Sequence, residues 1–221
     1  MNTIPLSVPL ILQETNSVEC GLACLKMLYD YYHIPVSLGD LRRDILLSSV
    51  GTYMPHLAQH LKRKGFTTEI IIHNPKIFRV EDKILSQPDL LRAIQNRLEG
   101  QEISERDREG IKVFITYLQD SGRLHVAIPT LKEIRQETNA GRPVIALVQN
   151  SIWYSRVPGR PFSDIFHLVV ITGVDDAYVY INDPHWKFGG QVKHTHEEFL
   201  FALYSSSLGD VDNGSVIFSK I

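Results

Sequence analysis

The chain has 221 residues, of which 43% are hydrophobic and 22% charged, and 23 Lys and Arg against 25 Asp and Glu give a formal net charge of -2. This is the composition of a globular protein, which at this length buries about 70% of the surface that the unfolded chain exposes. The near-neutral charge offers no basic stripe to displace phosphate counterions, so we expect no nucleic-acid partner. The apolar runs are far shorter than the ~20 residues that cross a bilayer, so we expect no membrane span.

The N-terminal segment is apolar but contains two prolines and lacks the basic region of a secretory signal peptide. We therefore expect a cytoplasmic protein. No repeat, low-complexity tract or Pro/Gly-rich linker divides the sequence, which predicts a single domain over residues 1–221. The sequence specifies no oligomeric state.

The chain is predicted to be helical first and sheet-forming last. Gly21–Tyr32 has apolar residues at the spacing of a helix with one buried face, and Cys20 lies at its start. N-cap residues, capping-box pairs and terminal glycines mark further helices. These helices are expected after Ser37, over Thr52–Lys64, from Thr130 to Gly141 and after Thr195.

A charged segment in the middle of the chain also has a helical pattern. Ser86–Gln119 carries Pro88 where the first turn of a helix tolerates proline. Its charges are typical of a solvated helix face rather than of a core. We therefore expect a helical insertion over about residues 81–125.

Runs rich in Val, Ile and aromatic residues come late in the sequence and are typical of strands. They are Pro143–Gln149, Phe166–Gly173, Tyr178–Asn182 and Val216–Ser219. The second and third of these runs are separated by a short polar loop and predict a hairpin. Helices followed by strands in this order predict an α+β fold.

Three residues of these predicted elements are suited to nucleophilic catalysis. Cys20 lies at a helix N-terminus, where unpaired N–H groups and the helix dipole favour its thiolate. His167 opens one strand of the hairpin, and Asp183 follows the other strand. The start of one antiparallel strand neighbours the end of its partner, so this carboxylate can hold the second imidazole nitrogen. The arrangement predicts a nucleophile, a general acid/base and an orienting acceptor.

The sequence around these residues resembles a known family. The stretch Gln13–Leu25, with its Cys-Gly-Leu-Ala-Cys motif, and the segments His167–Gly173 and Tyr180–Pro184 are similar to the bacteriocin-processing, double-glycine leader cysteine peptidases. The resemblance implies a papain-like fold with a helical lobe that carries the nucleophile and an antiparallel sheet lobe. It also implies that the cysteine, histidine and aspartate above form the catalytic triad and that Gln13 helps to build the oxyanion hole.

Two departures from this family concern the oxyanion hole and the domain context. Gln13 stands one residue further from Cys20 than in the usual family spacing, so the backbone N–H of Cys20 stays open as the principal donor. The family domain is commonly joined to a membrane-spanning ABC exporter, whereas this chain has neither a transmembrane run nor a phosphate-binding loop. Leader removal during export is therefore not implied.

A looser similarity connects the Cys-Gly-Leu-Ala-Cys motif and the later His-bearing strand with standalone proteins described as guanylyl-cyclase-like. Cyclase chemistry would need a metal-binding carboxylate pair, and the sequence offers none. His194 and His196 stand two residues apart without further ligands, so we expect no metal site. Acyl transfer through a thiol needs no cofactor, and none is expected.

The expected reaction is hydrolysis of an amide bond in a peptide or protein substrate. Cys20 attacks the carbonyl, His167 protonates the leaving amine, and water releases the acyl group from the enzyme. The same residues would serve an acyltransferase or a glutamine deamidase. A non-catalytic domain that grips a peptide with the same fold is the alternative of another class.

Other reactive side chains are assigned structural roles. Cys24 is expected to be a small core residue, and Asp175 and Asp176 to form the hairpin turn. Trp153, Trp186 and Phe188 are expected to wall a cleft or to pack in the core. The remaining histidines are assigned to the surface or to loops; they are His33, His56, His60, His73, His125 and His185.

Overall fold

The computed structural model describes residues 4–48, 51–100, 103–154, 166–206 and 214–221. Within these ranges the chain forms eight α-helices, a short 3-10 helix at Val80–Ile84 and a seven-stranded sheet. The helices are α1 Cys20–Tyr31, α2 Leu38–Asp44, α3 Met54–Arg63, α4 Gln87–Gly100, α5 Glu105–Gln119, α6 Leu131–Asn139, α7 Ser151–Tyr154 and α8 His196–Ser205. The strands are β1 Thr67–Ile72, β2 Arg123–Val126, β3 Val144–Gln149, β4 Phe166–Val174, β5 Tyr178–Asp183, β6 Gly190–Thr195 and β7 Ser215–Lys220.

The sheet has the strand order β2-β1-β7-β3-β4-β5-β6. Adjacent strands of this sheet pair antiparallel, except β1 and β2, which pair parallel. The mixed helices and sheet confirm the α+β prediction. The predicted strands correspond to β3, β4, β5 and β7, whereas β1, β2 and β6 were not predicted.

The predicted capping boxes form at three helix starts. Ser37 Oγ accepts the backbone N–H of Asp40 at 3.1 Å, and the Asp40 carboxylate accepts the Ser37 N–H at 3.0 Å. The same reciprocal bonds begin α6 and α8. Each box satisfies N–H groups that would have no partner within the helix. These local bonds explain why the sequence pattern located α2, α6 and α8.

Helix α3 corresponds to the helix predicted over Thr52–Lys64. Gly65 follows it with φ of +94°, a left-handed conformation that glycine adopts at little cost. One prediction on this helix is wrong, because His60 is buried rather than exposed. Its Nδ1 lies 2.6 Å from the buried Tyr29 hydroxyl on α1. This bond joins α3 to α1.

The charged middle segment forms the 3-10 helix, α4, α5 and finally β2, which extends the sheet at its edge. Its helices are not detached from the core. Leu90, Ile94, Ile111 and Phe114 are buried in the same hydrophobic cluster as α1. An ion pair between Asp82 and Arg97, with N–O distances of 2.5 and 2.7 Å, ties the 3-10 helix to α4. That this segment is an insertion stays a prediction.

The core divides into two hydrophobic clusters, one on each face of the sheet. Alternate residues of β4 supply them: Leu168 and Val170 belong to the cluster with α1, and Val169 and Ile171 to the cluster with α6 and α8. Side chains of a strand alternate between faces, so one strand anchors helices on both sides. In the described part of the chain, every helix is too short or too polar to span a membrane.

Helix α1 lies close against β4 because its second residue is glycine. A Cβ atom at Gly21 would lie 3.0 Å from Leu168 Cδ1 and 3.2 Å from Thr52 Cβ. Both separations are tighter than ordinary side-chain contacts. The absence of a side chain at this position brings the start of α1 next to the start of β4.

Candidate active site

Cys20 is the first residue of α1 and is half-buried. The preceding N-cap residue, Glu19, makes no side-chain cap, so it does not occupy the helix N–H groups. Burial raises the pKa of the thiol, but the neighbouring His167 side chain and the backbone of Leu168 and Gly21 lower it below its ordinary value. Cys20 is therefore placed where three neighbours stabilise a thiolate.

His167 and Asp183 are joined by a hydrogen bond of 2.8 Å between Nε2 and Oδ1. The β4–β5 register pairs Val170 with Asn182, which makes His167 and Asp183 diagonal neighbours on one face. Both side chains are buried. Because Nε2 faces the carboxylate, Nδ1 is the nitrogen left for Cys20.

The charges of these groups favour an ion pair between cysteine and histidine. Burial by itself lowers the pKa of His167, but the charge of Asp183 and the hydrogen bonds to Asp183 and Cys20 raise it above its ordinary value. Burial opposes ionisation of Cys20, yet the hydrogen bond and charge of His167 lower the thiol pKa below its ordinary value. These shifts favour a thiolate next to an imidazolium.

Cys24, one turn further along α1, is in a different environment. It is fully buried, as predicted for a small core residue. Burial raises the pKa of its thiol well above the ordinary value, and the nearby charges of Cys20 and Asp183 raise it further. Of the two cysteines, only Cys20 has the electrostatic environment of a nucleophile.

Asp183 is held in place by the tight turn that follows it, over residues 183–189. Its Oδ1 also accepts the backbone N–H of His185 at 2.8 Å. A Cβ atom at Gly189 would lie 2.3 Å from the Asp183 carbonyl oxygen and 2.5 Å from that of His185. Backbone cannot yield at such distances, so this turn requires glycine.

His185 is a neighbour of the site that the sequence reasoning missed. Its ring lies 5.8 Å from the His167 ring, and its Nδ1 accepts the backbone N–H groups of Lys187 and Phe188. The rings of Trp186 and Phe188 pack on it. Its position two residues after the candidate aspartate, within an aromatic stretch, was the available signal. The His185 ring thus packs edge-on against the His167 imidazole.

Gln13 is held next to the site by its backbone, since its N–H donates to the Pro184 carbonyl at 2.8 Å. Its side-chain Nε2 donates to the carbonyl of Ser17 within the turn before α1, where Asn16 has φ of +59°. An amide nitrogen has two N–H groups, so one remains for another acceptor. Gln13 Oε1 is buried without a hydrogen-bond partner among the described residues.

On the expectation that Gln13 donates to the oxyanion, we predict that Gln13→Ala lowers kcat by about 10²–10³, the usual loss when one oxyanion donor is removed. The melting temperature should fall only slightly, because the variant loses the side-chain bond to the Ser17 carbonyl but keeps the backbone bond to Pro184. Steady-state kinetics with a fluorogenic peptide would measure the effect. A loss of less than about threefold would assign the oxyanion to the Cys20 N–H alone.

The competing carboxylates of the hairpin have other roles. Asp175 forms the predicted turn, accepting the backbone N–H groups of Ala177 and Tyr178 at 2.8 and 2.6 Å. It also accepts the Tyr180 hydroxyl at 2.7 Å. Asp176 is exposed and lies 3.2 Å from the Arg135 guanidinium. The carboxylate that bonds to His167 is that of Asp183.

His194 and His196 do not face each other across a common site. The His194 ring stacks on Trp153 with a centroid distance of 4.3 Å. His196 Nε2 lies 2.9 Å from the Asp175 carbonyl oxygen. Within the described residues, no group of three or more His, Cys, Asp or Glu side chains is arranged to hold a metal ion.

Comparison with known proteins identifies this fold. The family model described as the Peptidase_C39 like family matches residues 5–205. Two similar solved structures are a double glycine motif protease from an AMS/PCAT transporter in complex with the leader peptide and the peptidase domain of Streptococcus ComA, a bi-functional ABC transporter involved in a quorum sensing pathway. A search of the curated proteins finds no match.

The two structures resemble the chain over nearly its full length. The first has 19% identity and a TM-score of 0.51, covering 98% of this chain and 94% of its own. The second has 16% identity and a TM-score of 0.50, covering 96% of this chain and 97% of its own. At these identities the likeness shows the fold, and it confirms the predicted α+β, papain-like class.

Proposed function

The chain belongs to the Peptidase_C39 like family, and from that premise we propose that it is a cysteine peptidase with Cys20 as nucleophile, His167 as general acid/base and Asp183 as the orienting carboxylate. The observation that carries the proposal is the 2.8 Å hydrogen bond between Asp183 and His167, whose imidazole in turn lowers the pKa of the Cys20 thiol at the start of α1. Each member supplies a property that the others lack. The peptidase fold alone would not require this arrangement.

The geometry supports a conventional acyl-transfer sequence. The Cys20 thiolate attacks the substrate carbonyl carbon, and the negative oxygen that develops is stabilised by the Cys20 N–H at the helix start together with Gln13. His167 then gives the proton on Nδ1 to the leaving amine, which departs and leaves a thioester on Cys20. Water, deprotonated by His167, releases the carboxylic acid and restores the thiol. Asp183 keeps Nε2 protonated throughout.

We propose a peptide or protein segment as the substrate. One structural relative was solved as a protease with its leader peptide, which makes a peptide the ligand class to test first. An acyltransferase would use the same first half-reaction and pass the acyl group to an amine or thiol instead of water. A glutamine deamidase would release ammonia from a side chain.

The pH dependence of thiol alkylation tests the proposed nucleophile without knowledge of the substrate. Cys20 should react with iodoacetamide at a rate that stays high as pH falls below the ordinary thiol range, because its thiol pKa is lowered. The rate should fall only when pH passes the lowered value and the thiolate is protonated. Cys20 and Cys24 lie on the same tryptic peptide, which ends at Lys26, so fragment-ion mass spectrometry of that peptide would show which of them is alkylated. Cys24 should resist alkylation, because burial raises the pKa of its thiol.

The matched variant is His167→Gln, which removes the charge that favours the thiolate. Its alkylation profile should move toward the ordinary thiol range. A parent profile that already follows an ordinary thiol would contradict the proposed nucleophile and favour a non-catalytic peptide-binding domain. Product analysis after incubation with a peptide mixture then separates hydrolysis, acyl transfer and deamidation, since each leaves a different mass change.

A further inference from the structure

The loop between Gln13 and Cys20 carries two groups of the candidate site and is joined to its surroundings at both ends. At one end the Gln13 N–H donates to Pro184, and at the other end Glu19 is the N-cap of α1. Within the loop the Ser17 N–H donates to the Glu14 carbonyl at 3.0 Å. Backbone bonds within such a short turn do not fix the directions of its side chains. Those directions are fixed only when another helix or strand contacts the side chains.

Arg42 on α2 provides the contact with a neighbouring element. Its Nε donates to Glu19 Oε1 and its Nη2 to Glu19 Oε2, both at 2.7 Å. The same Nη2 also donates to the carboxylate of Glu14. The two parallel bonds to Glu19 form the bidentate pair that only a guanidinium can make. One side chain thus joins both acidic residues of the loop to α2.

Helix α2 is a firm base for this contact. Its capping box orders its first turn, and Leu41, next to Arg42, is fully buried in the main hydrophobic cluster. The Glu19 side chain is only 13% exposed, so its bonds to Arg42 are partly shielded from water. Shielded bidentate pairs keep their geometry better than exposed single contacts.

Glu19 directly precedes Cys20, so the position of its negative charge affects the pKa of the Cys20 thiol. A carboxylate at a helix start is attracted to the same unpaired N–H groups that favour the thiolate. Arg42 neutralises this carboxylate and directs it toward α2 instead. Without Arg42, a second negative charge would lie beside the thiolate and oppose its formation.

We propose that Arg42 is a positioning residue of this active site. Its bidentate pair with Glu19, called the fork below, and its bond to Glu14 hold the Gln13–Cys20 loop in place. The same pair keeps the Glu19 charge away from the thiolate. The inference rests on the proposed cysteine chemistry. Arg42 touches no reacting atom and acts through the two glutamates.

The chain offers a matched control on the same helix. Arg43 donates to Asp40 at 2.6 Å and lies 3.5 Å from Asp44, both on α2 itself. Its side chain is 69% exposed, and its ion pairs within the described residues stay on this helix rather than reaching the loop before Cys20. Arg43→Gln removes the same charge from the neighbouring position and should leave alkylation and turnover unchanged.

The experiment compares Arg42→Gln, Arg42→Lys and the double variant Arg42→Gln with Glu19→Gln. For each protein we would measure the pH profile of Cys20 alkylation by iodoacetamide, kcat and KM for a fluorogenic peptide, and the melting temperature. Alkylation needs no peptide turnover. If the parent protein hydrolyses no peptide, the proposed function is overturned, but the alkylation profiles still test the role of Arg42.

We expect Arg42→Gln to slow alkylation at neutral pH by about threefold to tenfold, because the released Glu19 charge raises the thiol pKa. The double variant should regain the parent alkylation profile, since it no longer carries that charge. Its kcat should stay about tenfold to a hundredfold below the parent, because the loop is still released. Arg42→Lys keeps the charge but loses the fork, so its alkylation should be normal and its kcat reduced.

Two results would overturn the inference. One is an Arg42→Gln variant within twofold of the parent in both alkylation and kcat. The other is a slowed alkylation that Glu19→Gln does not reverse, which would assign Arg42 a purely structural role. If Arg42→Gln does not fold, Arg42→Lys decides the question: a kcat equal to that of the parent would rule out positioning by the fork.

Discussion

Cys20→Ala is expected to abolish peptide hydrolysis and to leave the fold intact. The thiol is the nucleophile of the proposed reaction, and its loss removes the covalent step altogether. Cys20 is half-buried at the end of a helix, where alanine is well tolerated, so the melting temperature should change little. Fluorogenic peptide assays and thermal unfolding measure the two quantities. Turnover by this variant at the parent rate would contradict the proposed mechanism.

Cys24→Ala is the matched control, because it removes a thiol one helical turn away. Cys24 is fully buried, so its replacement should lower the free energy of unfolding modestly through the small cavity that it leaves. Activity should remain, since burial keeps this thiol protonated. Comparable losses of activity in the two variants would mean that the nucleophile is assigned to the wrong cysteine.

Asp183→Asn should lower kcat by about 10²–10⁴ with little change in the melting temperature, because an amide in place of a triad carboxylate keeps the geometry but holds the imidazole in the wrong tautomer. The amide matches the carboxylate in shape and can present its NH₂ group to His167 Nε2, so the proton moves to the nitrogen that should serve Cys20. The same oxygen, Oδ1, accepts the His185 N–H, so turning the NH₂ group toward His167 gives up that bond, at a cost of about 1 kcal/mol. Steady-state kinetics and thermal unfolding test both parts.

The same variant should change the alkaline side of the pH profile. The charge of Asp183 contributes to raising the pKa of His167 in the parent. We therefore expect parent activity to be lost only as pH rises through that raised value. Without this charge the pKa of His167 falls, and the alkaline limb should move to lower pH. An unshifted alkaline limb would contradict the role of Asp183.

Asp175→Asn controls for a general loss of charge in the hairpin. Asp175 accepts backbone N–H groups in the turn and makes no bond to His167 among the described contacts. Its replacement should cost some stability of the turn and leave the pH profile unchanged. A large loss of activity here, with a mild effect of Asp183→Asn, would reverse the assignment of the orienting carboxylate.

Short-range interactions explain what the sequence alone could predict. Helices α2, α6 and α8 begin with capping boxes whose partners are three residues apart, and helix α1 has an apolar face with the helical period. Strands β4 and β5 are apolar runs joined by a turn that Asp175 forms with nearby backbone. The hairpin then places His167 beside Asp183, because strand register converts sequence spacing into proximity.

The elements that could not be predicted from the sequence depend on distant partners. Strand β6 alternates between half-exposed and exposed residues, so it lacks a hydrophobic run and exists because it pairs with β5. Strand β2 has four residues and joins the sheet edge by pairing with β1. The charged middle segment buries apolar residues of α4 and α5 in the same cluster as α1, a contact that local charge content does not reveal.

The sequence by itself determined the starts of α2, α6 and α8, the hairpin and the three candidate catalytic residues, because these depend on neighbours a few residues away or on one strand pairing. Only the tertiary structure decided that His167 is buried and that the Gln13 amide donates to the Ser17 carbonyl. It also decided that Arg42 donates hydrogen bonds to both Glu14 and Glu19. Side-chain directions in a loop are set by whatever packs against it. For the loop before Cys20, that neighbour is a different helix.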